Sequence, residues 1–278
     1  MSFLVLLLAI VIEKFSGLRQ RVQRDGPWLK QLARLEASPR TAARPWLSLA
    51  LLVLLPVLVL HLVLVVMGSV AYGWLLLPVH LVVLIYSLGR GDVIAALGPF
   101  RDACRRGDTQ AAVHVAERDM GVKAHDSEQL LAGVQGHLLW QAYQGFFAVL
   151  FWYVLLGPVA ALAYRLLALA VEHSKTPAIG ERAGQLRHAL DWLPVRLLAA
   201  SFALVGNFAA VSRELLQDLL NWNISAAQLI ARIGCVASEV PAPVVGTHAV
   251  TGLNLIWELL VRSAIVWYAG FALWTLLI

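Results

Sequence analysis

The run WLSLALLVLLPVLVLHLVLVVM, from Trp46 to Met67, contains no Asp, Glu, Lys or Arg. A helix of about 20 apolar residues crosses a hydrocarbon core of roughly 30 Å, so this run predicts a transmembrane helix. A second uncharged run, Tyr72 to Leu88, follows after the short connection Gly68-Ser69-Val70-Ala71. Residues 46–88 therefore predict a tight antiparallel helical hairpin.

The composition of the whole chain agrees with a membrane protein. Of its 278 residues, 60% are hydrophobic and 14% are charged, and the mean hydropathy is +0.73. Soluble chains carry about a quarter charged residues, so a soluble globule is excluded. Because the uncharged runs are too long for barrel strands, we predict an all-α integral membrane protein. It forms a single domain over residues 1–278, with four to five transmembrane helices and cytoplasmic amphipathic helices.

Three further segments predict helices in the membrane. Residues 138–171 predict a long span, whose first turns lie outside the lipid because the segment exceeds one untilted crossing. Residues 192–208 predict a short span that contains Arg196, and residues 259–278 predict a C-terminal span. Residues 1–12 are too few to cross, and no small-residue cleavage site follows them, so they predict a re-entrant or interfacial helix.

The basic residues orient these helices. Segments 13–45 and 89–137 are rich in Lys and Arg, whereas the hairpin connection between them has neither. The positive-inside rule therefore places both segments in the cytoplasm of a multi-pass protein. The chain has 22 Lys plus Arg against 17 Asp plus Glu, an excess that favours anionic lipid head groups over nucleic acid as partners. Three arginines close to the N-terminal apolar stretch predict a basic collar at the lipid surface: Arg19, Arg21 and Arg24.

Local signals divide the polar segments into helices. Gly107 and Gly121 follow short amphipathic stretches and predict helix C-terminal caps. The segment 89–137 is either a small bundle beneath the membrane or a platform for a cytoplasmic partner. Residues 211–257 predict amphipathic helices, one of which starts at a Ser225/Gln228 capping box and stops at Gly234.

No compact catalytic signature occurs in the chain, so the catalytic residues are unknown. There is no GxxxxGK[ST] loop, GxSxG elbow, HExxH or strand-linked GxGxxG. The two cysteines, Cys104 and Cys235, lie far apart without a partner histidine pattern, so no metal site is predicted.

Polar residues next to apolar sequence are the candidates for ligand binding, because burying them unpaired costs several kcal/mol. His137 and Gln141 form a polar stripe that either satisfies neighbouring groups or lines a site. Arg165 either snorkels to the lipid head groups or faces a pocket. Asp191 and Arg196 lie at the mouth of an apolar helix, which suggests an ion pair between them or an anion-binding arginine.

Two motifs carry a family resemblance. The run FWYVLLGPVAALAYR, from Phe151 to Arg165, is followed by LDWLPVRL, from Leu190 to Leu197. With the order of segments along nearly the whole chain, they resemble the AmpE proteins. Those are inner-membrane proteins of Gram-negative bacteria, associated with regulation of β-lactamase induction and with peptidoglycan recycling. The resemblance implies a regulatory modulator in the inner membrane.

AmpE proteins are in turn similar to the CobD/CbiB proteins of cobalamin biosynthesis, which form an amide with ATP and magnesium. The alternative function is therefore such an enzyme, and only this alternative implies ATP and magnesium as cofactors. However, the acidic, histidine- and proline-containing stretch of those enzymes has no counterpart after Ile12-Glu13, and Gln144-Gly145 replaces their Asn and Asp-Gly. An active cobalamin-type synthase is thus the less favoured interpretation.

The candidate ligand site combines these signals. Glu13, Tyr164, Arg165, Asp191 and Arg196 are predicted to converge near one membrane interface, with the arginines holding a phosphate or carboxylate. Separate anchoring roles at helix ends are the alternative. The expected partners are the lipid bilayer with its anionic head groups and either a cytoplasmic protein or a cell-wall-derived ligand, with no nucleic acid.

Overall fold

The structure is a computed structural model that describes residues 23–38, 44–68, 76–89, 93–239 and 247–277, together with Val5 and Leu8. Within these residues every regular element is a helix, as the sequence predicts. In chain order they are α1 (Gly26–Ala37), α2 (Pro45–Gly68), α3 (Leu76–Ser87), α4 (Val93–Ala96), α5 (Gly98–Arg105), α6 (Thr109–Met120), α7 (Ser127–Leu156), α8 (Pro158–His173), α9 (Pro177–Val205), α10 (Phe208–Asp218), α11 (Ala226–Ala237) and α12 (Thr247–Leu277).

Among the described residues, four helices are long and apolar enough to cross a membrane: Pro45–Gly68, Ser127–Leu156, Pro177–Val205 and Ala249–Thr275. The number agrees with the predicted four to five. Residues 192–205 of the predicted span 192–208 form the C-terminal part of α9, which extends back to Pro177 and ends at Val205. Within the described residues α3 has 12 residues, Leu76–Ser87, which correspond to a length of about 18 Å. Residues 69–75, which complete the predicted hairpin, and most of the predicted N-terminal helix 1–12 lie outside the described residues.

The chain forms two compact units. The first comprises Met1–Leu88, Ala148–Asp191 and Phe271–Ile278, and the second comprises Gly89–Phe147 and Trp192–Gly270. The single domain expected over 1–278 stays a prediction. Helices α7, α9 and α12 contribute residues to both.

In the first unit, α8 packs against α3, against α2 and against the Ala148–Leu156 end of α7. The prediction of one long span over 138–171 is wrong, because the chain turns between Leu156 and Pro158. Gly157 has φ +80° and ψ −169°, a conformation open essentially to glycine, and Pro158 starts the next helix. The result is an antiparallel helical hairpin in place of a continuous helix.

Helix α1 is attached to this unit by its one tryptophan and its one acidic residue. Trp28 Nε1 donates to the carbonyl of Leu52, 3.1 Å away, inside a π-helical turn that α2 forms over Ala50–Leu54. At the other end, Glu36 Oε1 accepts hydrogen bonds from Ser174 Oγ and from the amides of Lys175 and Thr176 at 2.7–3.0 Å. Burial alone raises the pKa of Glu36, but these hydrogen bonds outweigh it and lower the pKa below the usual 4.5. The turn before α9 is therefore held by one carboxylate.

The second unit confirms the predicted caps. Gly107 and Gly121 have φ +70° and +68° after α5 and α6, and Ser225 and Gln228 form a reciprocal capping box at the start of α11. The predicted stop at Gly234 is wrong, since α11 continues to Ala237. A Cβ at Gly234 would lie 2.7 Å from the Leu139 side chain, so this glycine permits close packing of α11 on α7.

Candidate functional site

The first unit contains a buried cluster of polar side chains at the α8–α9 contact. Tyr164, on α8, donates its hydroxyl to Asp191 Oδ1 at 2.8 Å. Arg187 lies one turn before Asp191 on α9, and its Nε is 3.4 Å from Asp191 Oδ2. The Arg187 and Asp191 side chains are 9% and 3% exposed, and Tyr164 is 1% exposed. The three side chains form one enclosed, charge-balanced cluster.

A second buried ion pair joins α8 to the residues before α1. Arg165 Nη2 lies 3.3 Å from Asp25 Oδ2, and the two side chains are 12% and 1% exposed. Asp25 occupies the N-cap position of α1, yet its side chain makes no capping hydrogen bond and is directed to the arginine instead. Arg165 Nε is buried without a hydrogen-bond partner among the described residues.

Apolar packing surrounds these charges. Leu166 and Leu167, which follow Arg165 on α8, are 2% and 3% exposed and belong to one core with Trp28 and Leu52. Taking an ion pair out of water costs several kcal/mol per ion, and the pair's attraction does little more than offset that cost. Breaking such a pair, however, costs about 3–5 kcal/mol. The arrangement therefore contributes specificity of packing between helices more than net stability.

Arg196 belongs to the second unit and has a different environment. Its guanidinium donates to the carbonyl oxygens of Leu219 and, at 2.7–3.4 Å, of Trp192, Asp218 and Asn221, while it lies 4.3 Å from the centre of the Trp192 ring. These carbonyls include those at the C-terminal end of α10, so Arg196 acts as a side-chain cap of that helix. Asp191 forms an ion pair with Arg187. The ion pair between Asp191 and Arg196, and the anion-binding alternative for Arg196, stay predictions.

Comparison with known proteins identifies the family. The profile of "Regulatory signalling modulator protein AmpE" matches residues 1–239. The chain belongs to the AmpE family. It is 27% identical over 246 residues to "Protein AmpE" of Shigella flexneri, covering 84% of each chain. No solved structure matches. Neither of these matches is to a CobD/CbiB protein, so that part of the resemblance stays a prediction.

The AmpE resemblance pointed to segments that the structure places in contact. Tyr164 and Arg165 end the first motif, and Asp191 lies in the second; the Tyr164–Asp191 hydrogen bond joins the two motifs. The sequence argument missed Arg187 and Asp25. The spacing of four residues between Arg187 and Asp191 was a usable signal, because such residues share one helix face. For Asp25, the sequence contained no comparable signal beyond its position directly before the Gly26-Pro27 start of α1.

The other candidates of this AmpE-family chain are placed as follows. Gln141 Oε1 accepts a hydrogen bond from Gln144 Nε2 at 2.8 Å, and both belong to the second unit together with the half-buried His137. Arg24 is exposed, in agreement with a surface position. Glu13, Arg19 and Arg21 lie outside the described residues, so the contribution of Glu13 and the basic collar stay predictions.

Proposed function

We propose that this protein is an inner-membrane modulator of β-lactamase induction, linked to peptidoglycan recycling, and that its buried charge cluster holds the signalling state. The observation that carries the proposal is the convergence of the two family motifs on Tyr164, Asp191 and Arg187. The AmpE family is described as a regulatory signalling modulator, which supports a regulatory role for this convergence.

The cluster suits a switch for a physical reason. Three separate parts of the chain meet here: the Arg165–Asp25 ion pair joins helix α8 to the residues before α1, and the Tyr164–Asp191 hydrogen bond joins α8 to α9, where Asp191 also pairs with Arg187. Because a half-broken buried pair is costly, such contacts favour fully formed or fully exchanged arrangements over intermediate ones. A ligand that offers an anion to Arg165 or Arg187 shifts the equilibrium from the arrangement with the present ion pairs to one in which the arginine pairs with the ligand. We infer that a cell-wall-derived anion, or a cytoplasmic protein partner, provides this signal.

The test is complementation of a deletion strain with single variants. β-Lactamase activity is measured with and without a β-lactam inducer in cells expressing wild type, Asp191→Asn or the control Asp102→Asn. Asp102 also pairs with an arginine, Arg105, but their side chains are 58% and 57% exposed, so the control removes the same charge from an exposed pair. We expect Asp191→Asn to change the induction ratio by about fivefold or more and the control to leave it unchanged.

Fractionation of the same cells tests location and folding. All three proteins should be found in the inner membrane, and each induction ratio is compared at matched amounts of membrane-inserted protein. An Asp191→Asn protein present at wild-type level with an unchanged induction ratio would contradict the proposal.

A further inference from the structure

The second unit contains a cleft whose lining includes none of the residues of the charge cluster. Its volume is about 320 Å³, and it lies where the end of α9 meets the end of α11 and the middle of α12. Its apolar wall includes Val205, Leu255 and Leu259. Its polar wall includes Asn207, Glu239 and Arg262. Ligand sites commonly combine an apolar lining with a few placed polar groups in this way.

Glu239 is held in position on the polar side. Asn207 Nδ2 donates to Glu239 Oε1 at 2.6 Å, and Asn207 is itself fixed because its Oδ1 caps the amide of Ala210 and its own amide donates to the carbonyl of Ala237. Glu239 has φ +48°, and it is the one non-glycine residue with a positive φ in the described part of the chain. A non-glycine residue in this region costs about 1 kcal/mol or more, and such strain concentrates at binding sites.

Arg262 provides a positive charge in the same cleft. Its Nη2 lies 3.0 Å from Glu258 Oε2, and the side chain is 56% exposed. This pairing orients the guanidinium while leaving it open to a second anion. Together, Glu239 and Arg262 present one carboxylate and one guanidinium to a ligand in the cleft.

The side chains next to the lining residues are large, apolar and exposed. Leu204 and Phe208, which flank the α9–α10 turn, are 70% and 63% exposed. Ile265, one turn beyond Arg262, is 63% exposed. A cleft with charges on one wall, whose lining residues are followed or preceded in the chain by exposed apolar side chains, suits an amphiphile, since the head group meets the charges and the acyl chains meet the apolar side chains.

We propose that this cleft binds the head group of a zwitterionic phospholipid of the phosphatidylethanolamine type. The phosphate lies at Arg262, the ammonium group at Glu239, and the acyl chains run over Leu204, Phe208 and Ile265. A purely anionic head group fits less well, because the carboxylates of Glu239 and Glu258 repel it without an ammonium group to pair with. The proposal concerns the second unit alone and does not depend on the proposed regulatory function.

The experiment is native mass spectrometry of the purified full-length protein in detergent. Wild type, Glu239→Gln and Arg262→Gln are titrated with dioleoyl-phosphatidylethanolamine and, separately, dioleoyl-phosphatidylglycerol. The controls are Arg118→Gln and Asp119→Asn, which alter an exposed ion pair on α6 outside the cleft. Circular dichroism and gel filtration check that every variant is folded. O-Phosphoethanolamine, the free head group, is used as a soluble competitor.

We expect wild type to prefer phosphatidylethanolamine. Glu239→Gln should weaken the binding of phosphatidylethanolamine by about five- to twentyfold and leave the binding of phosphatidylglycerol unchanged or tighter. Arg262→Gln should weaken the binding of both lipids. An unchanged lipid preference in folded Glu239→Gln, or an equal loss in the α6 controls, would overturn the proposal. Displacement of the lipid by equimolar O-phosphoethanolamine would also overturn it, because the cleft would then recognise a soluble zwitterion.

Discussion

Neutralising Asp191 should destabilise the protein through the charge of Arg187. Asparagine has nearly the shape of aspartate, and its Oδ1 can still accept the hydrogen bond that Tyr164 now makes at 2.8 Å. The carboxylate that lies 3.4 Å from Arg187 Nε is lost, and both side chains are at least nine-tenths buried. Breaking a buried pair costs about 3–5 kcal/mol, and we expect a value near 3 kcal/mol because the tyrosine contact is retained.

Reversible unfolding in mixed micelles measures this loss. In a chain of this size, 1 kcal/mol lowers the Tm by about 2–4 °C, so Asp191→Asn should lower it by roughly 6–12 °C. Tyr164→Phe removes the hydrogen bond alone and should cost about 1.5–3 kcal/mol. The double variant should lose less than the sum of the two single losses, because both side chains interact with one another. Strict additivity, or a loss from Asp191→Asn no larger than that of the exposed Asp102→Asn, would refute the reasoning.

Three further changes test other parts of the fold. Gly157→Ala forces alanine into φ +80° and should cost about 1–3 kcal/mol by thermal unfolding, even though its Cβ meets no atom within 4 Å. Gly145→Ala places a Cβ 3.0 Å from Gly89 Cα, so it should push apart the two chain segments that meet there. The Gly89 amide donates to the Gly145 carbonyl at 2.6 Å, and its hydrogen exchange should therefore become faster. Because the pKa of Glu36 is lowered on folding, its stabilisation should be complete above about pH 4.5 and be lost as the pH falls through the lowered value. Glu36→Gln should remove that acid-dependent part of the unfolding curve, whereas an unchanged curve would contradict the assignment.

The sequence predicts helix type and most helix ends, because those depend on local physics. Uncharged runs require helices in lipid, and Gly107, Gly121 and the Ser225/Gln228 box act within one turn of their own chain. Gly234 shows where this fails: the same residue type that ends a helix elsewhere here makes room for Leu139, a residue almost a hundred positions away.

The candidate site was predictable in part for the same reason. Tyr164, Arg165 and Asp191 stand out as polar residues in apolar surroundings, which is a local property. Their partners are a tertiary property: Arg165 meets Asp25 across 140 positions of sequence, and no pattern encodes that contact. Arg196 looked equally exceptional but caps a helix, since a desolvated guanidinium is satisfied by carbonyl oxygens as well as by an anion.

The interleaving of the two units along the chain has a consequence for biosynthesis and for engineering. The first unit receives its middle piece, Ala148–Asp191, only after Gly89–Phe147 of the second unit has been translated, and Phe271–Ile278 follows only after Trp192–Gly270 of the second unit. Neither unit can be excised as one contiguous fragment, and a cut within α7, α9 or α12 removes residues from both. Reporter fusions that truncate the chain at successive points should therefore produce incomplete versions of both units until the final helix has been made.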